Sequence, residues 1–446
     1  LTFHRRTHNV KAIVISYCIA TNTDESMALS KVVFLSGSSS LPHTLSMYRS
    51  LAAAFQQEGI EAIMVDADQD DATVRQSLES CKPDFIFEIN RTRNQSLKAI
   101  PVDIPHIAWI QDAWRERRPT ESKQLHYCDP LFGGSDLTYT LIQPDYFGFS
   151  HHLQQGVWGR LHTGIDPLIH RPGDRDETVA DTAAICGYIP PPLHAMESAF
   201  VRTALCQSNG LTLRVDQVAE YLLHEAKVSI CRHTFPQVHA LITARINECL
   251  GTHIGVDVLL AALGQSATLQ LLDTEIPRIT DRMALGHLAL KAGMTLSIYG
   301  SKEWQYWPTF SPFYRQNLHA AQDLAQVYRQ TQFNLHNGSF GMHARVLEGM
   351  GCGSAMFVHT GCFDDTEFDI KRHFSPGEHY LPLSIEQGAE TLRYWRERRS
   401  QLRDIGLRAA EEVRLRHTWR HRAREILSDW MSLTSCQAVV EPTAAG

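Results

Sequence analysis

Two hydrophobic periods alternate along most of the chain. Lys31–Leu35 is a short continuous apolar run followed by the small-residue loop Ser36–Ser40, the pattern of a buried parallel strand. Leu45–Gln57 repeats at helical spacing and stops before Gly59. Strand-like runs recur at Glu61–Val65, Asp84–Ile89, His106–Ile110 and Asp136–Ile142, with helical spacing over Ala72–Ser80. This order predicts an α/β chain, a parallel sheet with helices on both faces and right-handed crossovers. A proline-rich break, Asp166-Pro167 and Arg171-Pro172-Gly173, and the polar stretch Asp174–Asp181 mark a domain boundary. Ala183–Tyr188 then opens a second unit. Residues 195–290 carry helical patterns and no convincing strand, which predicts a helical insert of unread purpose. The alternation resumes with a strand at Thr295–Tyr299, a helix at Leu318–Arg329 and a strand at Gln332–His336. A helix at Met342–Met350, a strand at Ser354–Val358 and a helical tail from Glu386 follow. The expected organisation is a segment 1–26 outside the fold, a first domain 27–172, and a second domain 173–415 with its insert at 195–290. A last helix, 416–446, is expected to pack back across the junction.

A chain of 446 residues is too long for one ordinary core and suits two or three domains. Charged residues at 20% and hydrophobic ones at 43% fit a globular protein. The net charge of -7 argues against a nucleic-acid binder that relies on bulk positive charge. No run approaches the roughly 18 apolar residues of a spanning helix. The 10 cysteines show no CxxC spacing and read as reduced thiols of a cytoplasmic protein. His224, Cys231, His233 and His239 cluster in sequence but fit no zinc spacing, and no metal is expected. The apolar run Ala12–Ala20 follows Arg5, Arg6 and Lys11 as in a signal peptide, yet no small-residue cleavage site comes after it. It is read as an extended start.

Chemistry concentrates in Phe333–Gly353, which reads as strand, glycine loop, helix and glycine stop. Ligands of open parallel sheets sit where strand ends meet helix starts. Gly338 and Gly341 allow close backbone approach, and the N–H groups near Gly341, Met342 and His343 favour a phosphate. Met342, Val346, Leu347 and Met350 share an apolar face, with Arg345 and Glu348 on the other side as neighbours at i and i+3. Such a carboxylate can accept two hydrogen bonds from a ribose diol, and the guanidinium can answer phosphate charge. A solvated ion pair on an ordinary helix explains the same spacing.

The segment Tyr328–Val358 resembles the donor-binding region of group 1 type glycosyltransferases of GT-B fold, nearest to the CgeB-like, spore-maturation-protein group. Arg345-Val-Leu-Glu-Gly-Met-Gly-Cys-Gly353 carries the likeness, with Asp364 and Asp365, Phe374-Ser-Pro-Gly-Glu-His-Tyr380 and His417-Thr-Trp419. Pro83–Asn90, Ile104–Asp112 and Gly164–Pro172 match more loosely in the first half. The resemblance implies two Rossmann-like domains facing across a cleft, and transfer of a sugar from a nucleotide-sugar donor to a glycan, lipid-linked or protein acceptor. One departure stands out. Many retaining members have a second glutamate eight positions before the first, and here that position is Phe340.

On that resemblance the donor nucleotide and phosphates are expected at Tyr299, Gly300, Lys302, Asn337, Gly338, Ser339, Gly341, Met342, Arg345 and Glu348. The contact that the missing glutamate makes to the donor sugar is expected from His336, Asn337 or backbone N–H groups. Asp112, directly after a strand, is the candidate base, with His336 as second catalytic candidate; Glu88 and Asn90 are weaker, and His43 and His106 are possible partners. Gly37, Ser38 and Trp109 are expected on the acceptor side. Neither cofactor nor metal is required, because a helix start and basic side chains can neutralise the leaving diphosphate. The alternatives are a non-catalytic nucleotide-sugar-binding descendant and a sugar-nucleotide epimerase. The arginine-rich tail reads as a solvated face, or as a peripheral contact with the inner membrane surface.

Overall fold

The computed structural model describes residues 29–37, 42–96, 100–111, 114–116, 124–126, 132–148, 157–173, 179–264, 266–338, 340–359, 361 and 368–440. The segment 1–26, Ser38, Asp112, Ser339, Asp364 and Asp365 lie outside the described residues.

The first sheet has six parallel strands: β1 (Lys31–Ser36), β2 (Glu61–Asp66), β3 (Phe85–Ile89), β4 (His106–Ile110), β5 (Leu137–Thr140) and β6 (Val157–Arg160). Their order is β2-β1-β3-β4-β5-β6. Central β3 and β4 are buried at every position, as expected for strands covered on both faces. Helix α1 (Pro42–Gln57) covers one face and α2 (Asp71–Cys81) follows β2. Tyr48 of α1 fixes the strand ends: its hydroxyl donates to the Leu35 carbonyl at 3.0 Å and accepts from the Ile89 N–H at 2.6 Å.

The second sheet has β7 (Val179–Cys186), β8 (Thr295–Tyr299), β9 (Tyr314–Gln316), β10 (Thr331–Asn337), β11 (Met356–His359) and β12 (Leu381–Pro382). All pairings are parallel, in the order β9-β8-β7-β10-β11-β12. The chain therefore forms two Rossmann-like α/β halves, as the strand–helix alternation predicts. The helices of the second half include α3 (Phe235–Leu250), α4 (Ile276–Lys291), α5 (Ala321–Gln330), α6 (Ala344–Gly351) and α7 (Gly388–Arg396). Two more close the chain, α8 (Arg399–Arg416) and α9 (Trp419–Val440).

Two features of residues 195–290 differ from the sequence reading. A β-hairpin, Ala204–Ser208 with Leu211–Arg214, turns through Asn209 at φ 53° and Gly210 at φ 73°. Helix α4 is not part of a separate lobe at its C-terminal end: Leu285, Leu288 and Ala289 pack in the core of the second sheet. The rest of the insert has its own core, including Val218, Leu222, Val238, Ile242 and Ile246.

Helix α9 returns to the first domain, where Trp419, Ala423, Ile426 and Trp430 join its core. Trp430 lies 5.2 Å from the Phe85 ring, and Tyr139 donates to Asp429 at 2.8 Å. The two crossings between domains touch, since the Ile165 N–H donates to the His417 carbonyl at 2.9 Å and Trp419 N–H to the Ile165 carbonyl at 3.1 Å. Beside them, the imidazoles of His162 and His373 meet at 3.2 Å, and His417 Nδ1 faces the Arg422 guanidinium at 2.7 Å. Burial first, then neighbouring cationic groups, pushes His162 well below the usual histidine range and His417 down to about 2. In the unfolded chain both would titrate near roughly 6.5. Below that value the unfolded state takes up protons that the folded state refuses, so stability falls as pH falls, by up to about 1.4 kcal/mol per unit for each such histidine. Denaturant midpoints should therefore drop between about pH 7.5 and 5.5. The drop should be shallower in His162→Gln; equal slopes would exclude this origin.

Candidate donor site

The loops after β7, β8 and β10 meet at the C-terminal edge of the second sheet. Gly300 has φ 143°, and a side chain there would run into the Gly187 carbonyl. The Gly187 N–H donates to the Tyr299 carbonyl at 2.8 Å, and its own carbonyl accepts from Trp304 Nε1 at 2.8 Å. Two glycines thus pack backbone to backbone, with no Cβ between them and whatever lies above.

Two arginines converge on that floor. A Cβ built on Gly187 would lie 3.2 Å from Arg345 Nη1 and 3.3 Å from Arg282 Cζ. Arg282, on α4, is buried and donates to the Asn337 carbonyl at 3.2 Å and side-chain oxygen at 2.5 Å, and to the Tyr188 carbonyl at 3.3 Å. Burial, then the cations Arg345 and Arg278, pulls its guanidinium down to about 9. Two neighbouring cations in a partly dry site are costly, and an anion relieves that cost. Among the described residues no hydrogen bond or ion pair engages the Arg345 guanidinium, and none joins it to Glu348. Both side chains are half-buried and both act on the Cys186 thiol. That thiol is pushed up to about 12, chiefly by burial.

The other expected donor residues scatter in role. Helix α6 starts at Ala344 rather than Met342, and His343 caps it by accepting the Arg345 N–H through Nδ1 at 3.2 Å. The helix start thus lies beyond the N–H groups expected to meet phosphate, and one of its own free N–H groups, that of Arg345, is occupied. Met342, Val346, Leu347 and Met350 are fully buried, as their shared face predicts. Asn337 is buried beneath Arg282, so it positions that guanidinium rather than facing ligand. Tyr299 lies at the end of β8 and Lys302 is exposed on the turn that follows.

His336 is 2% exposed, and its Nε2 has no hydrogen-bond partner among the described residues. That atom lies 3.2 Å from where a Cβ on Gly338 would be, so it is directed at the glycine loop. Its ring stands 4.7 Å from His343. Burial, and then His343, Arg282, Arg345 and His359, holds His336 well below the usual range, so it is neutral at pH 7. A neutral, strongly depressed imidazole is a poor general base but a competent hydrogen-bonding group.

The first domain reaches the same place. Phe340 packs against the cores of both domains, and His43 of α1 is among the neighbours that depress His343, after burial, Arg345 and Arg282. Gly37 directly follows β1, with Asp68 so close that any side chain would collide with its carboxylate. Trp109 does not line a groove. It is fully buried, its Nε1 donates to the Leu161 carbonyl at 3.0 Å, and it fills the core. Glu88 and His106 are likewise interior: Glu88 pairs with Arg91 at 3.3 Å and His106 Nε2 at 3.2 Å. Burial pushes the Glu88 carboxyl up, but Arg91, His106 and Ser96 outweigh it and hold it lower. Asn90 adopts φ 60° and accepts the Gln111 N–H at 2.6 Å, a structural turn. An apolar cavity of about 190 Å³ in the insert, lined by Leu205, Ile246, Leu250 and Leu259 among others, includes none of the donor-loop residues.

Arg282 is the functional candidate that sequence reasoning missed. It sits on a helix of mixed polarity, six residues beyond Ile276, and nothing in its spacing distinguishes it from a solvated arginine.

Residues 278–428, from α4 through the second sheet and into α9, match the family described as glycosyl transferase-like. That stretch is a glycosyl transferase-like domain. Among solved structures the chain is similar to a glycosyltransferase of Rickettsia africae ESF-5, at 10% identity and TM-score 0.46, over 91% of this chain and 99% of that one. It is also similar to a sucrose-phosphate synthase of Thermosynechococcus elongatus, at 10% identity and TM-score 0.47, over 91% of this chain and 100% of that one. No curated protein sequence matches. For this glycosyltransferase domain the arginine pair and Glu348 lie within the matched stretch, on α4 and α6. No helix among the described residues is long and apolar enough to cross a membrane.

Proposed function

We propose that the donor of this glycosyltransferase is a nucleotide sugar whose diphosphate lies over Gly187, between Arg282 and Arg345. The observation that carries the reading is the convergence of two guanidiniums, one without a partner among the described residues, on a glycine floor at the end of β7. When the bond from sugar C1 to the diphosphate breaks, charge develops on the departing oxygens. Preorganised donors aimed at that charge stabilise the transition state more than the ground state. Two guanidiniums supply this without a metal ion. Glu348, one turn along α6 from Arg345, accepts the ribose hydroxyls. His336 Nε2 hydrogen-bonds the donor sugar in place of the glutamate that Phe340 replaces. A hydroxyl oxygen of the acceptor forms the new bond to C1, and its proton leaves to a base from the facing domain, for which Asp112 remains the candidate.

The run Arg345–Gly353 supports placement near the CgeB-like group and a role in glycan assembly. The free thiols of Cys81, Cys186, Cys206, Cys231, Cys249 and Cys352 support a cytoplasmic location. The exposed arginines of α8 leave room for contact with an anionic membrane surface.

Calorimetry with UDP, GDP, ADP and TDP tests the donor site. One nucleotide should bind the wild-type protein, and Glu348→Ala should weaken it at least roughly tenfold, about 1.4 kcal/mol. Binding of none, or an unaffected variant, rejects the assignment. Interconversion of a nucleotide sugar without acceptor would instead identify an epimerase.

A further inference from the structure

The insert does not hang from the second domain alone. Its turn Ser229–His233 is fixed from below by Asp281: Ser229 Oγ donates to Oδ1 at 2.6 Å and the Ile230 N–H to Oδ2 at 2.7 Å. The turn closes on itself through the His233 N–H and the Ser229 carbonyl at 2.9 Å. Its middle residue, Cys231, is fully buried and donates its thiol to the Gly338 carbonyl at 3.2 Å. A side chain at Gly361 would run into the Cys231 carbonyl. The turn is therefore wedged against the loops that follow β10 and β11.

Asp281 also reaches the donor loop directly. Its backbone carbonyl accepts from Asn337 Nδ2 at 2.6 Å, while the next residue, Arg282, holds the Asn337 carbonyl and side-chain oxygen. One buried residue pair thus ties the insert turn, the end of β10 and a phosphate-facing guanidinium together. From the opposite side, Tyr146 of the first domain donates its hydroxyl to the Ile230 carbonyl at 3.3 Å. Its ring lies 5.5 Å from Phe235, and Phe235 packs into the core of the first domain. Ile230 consequently has its N–H bonded to one domain and its carbonyl to the other.

We infer that the Ser229–His233 turn couples the first domain to the donor loop, with Asp281 as the positioning residue that transmits the coupling. The inference rests on the donor-site reading above. A pair of packed elements that share one bonded peptide has few independent arrangements, so a shift on one side biases the other. Donor affinity then depends on Tyr146, which belongs to the opposite domain.

The test compares Tyr146→Phe, Ser229→Ala and Asp281→Asn with the wild-type chain by hydrogen exchange and by calorimetry with UDP, GDP, ADP and TDP. Tyr146→Phe removes one hydroxyl and keeps the ring, so its fold should survive. Faster exchange is expected both at 229–233 and at 336–345, with nucleotide binding weakened by roughly fivefold, the scale of one lost hydrogen bond. Ser229→Ala should act in the same direction, and Asp281→Asn more strongly. If Asp281→Asn does not fold, the other two decide. A merely structural role would confine the change to peptides around residues 146 and 230 and leave nucleotide affinity as it was; that result overturns the coupling. If the wild-type chain binds none of the four nucleotides, the donor reading fails, while exchange at 336–345 in Tyr146→Phe still decides the coupling.

Discussion

Arg345→Ala should weaken binding of the preferred nucleoside diphosphate by about tenfold to a hundredfold while leaving thermal stability nearly unchanged. Charge-assisted hydrogen bonds contribute about 1.5–3 kcal/mol, and no side chain or carbonyl among the described residues receives one from this guanidinium, which leaves it to the proposed donor. Arg282→Ala should lose affinity on the same scale and stability as well. Its removal strands the Asn337 carbonyl and side-chain oxygen in a buried setting, at about 1–3 kcal/mol for each unsatisfied group. The contrast matters more than either value. Calorimetry on both variants, with a melting curve for each, separates a ligand-facing cation from one that also builds the site. Equal affinity in Arg345→Ala and the wild-type chain would remove the diphosphate from Gly187.

Trp109→Ala should cost about 3–5 kcal/mol, the range for a large aromatic deleted from a packed core. The indole stands 6.2 Å from Phe87 and 6.3 Å from Trp419, so its loss opens the seam between β4 and α9. It also leaves the Leu161 carbonyl without its donor. Urea denaturation measures the loss. Below the variant's own midpoint, nucleotide affinity should match the wild-type value; a folded Trp109→Ala that keeps wild-type stability and loses turnover would return this residue to the acceptor groove.

The two sheets were legible because their central strands are short apolar runs with glycine or proline punctuation, as in Val32–Leu35 and His106–Ile110. Edges were not. β6 is half-buried, β9 has three residues and β12 two, too few for a period to show. The hairpin at 204–214 carried a readable signal in Asn209-Gly210, the dipeptide that favours positive φ at both turn positions. Helical spacing on either side outweighed it. At the site, Gly338, Arg345 and Glu348 were accessible from their spacing after a strand. Arg282 was not, since a pattern treats arginine as exposed and its burial depends on Asn337, fifty-five positions later. Trp109 misled for the opposite reason: an aromatic near a strand end looks the same from the sequence whether it lines a groove or meets a helix from the far end of the chain.

Helix α9 also sets an order on biosynthesis. The strands of the first sheet leave the ribosome early, yet four of the side chains that close their core, Trp419, Ala423, Ile426 and Trp430, arrive after the whole second domain has been made. During that interval Phe85 and Trp109 lack the aromatic partners they meet in the finished protein, and exposed apolar surface of this kind is where nascent chains associate wrongly. The domain begun first is completed last, so a chain released before Trp419 would carry an intact second sheet beside an unfinished partner.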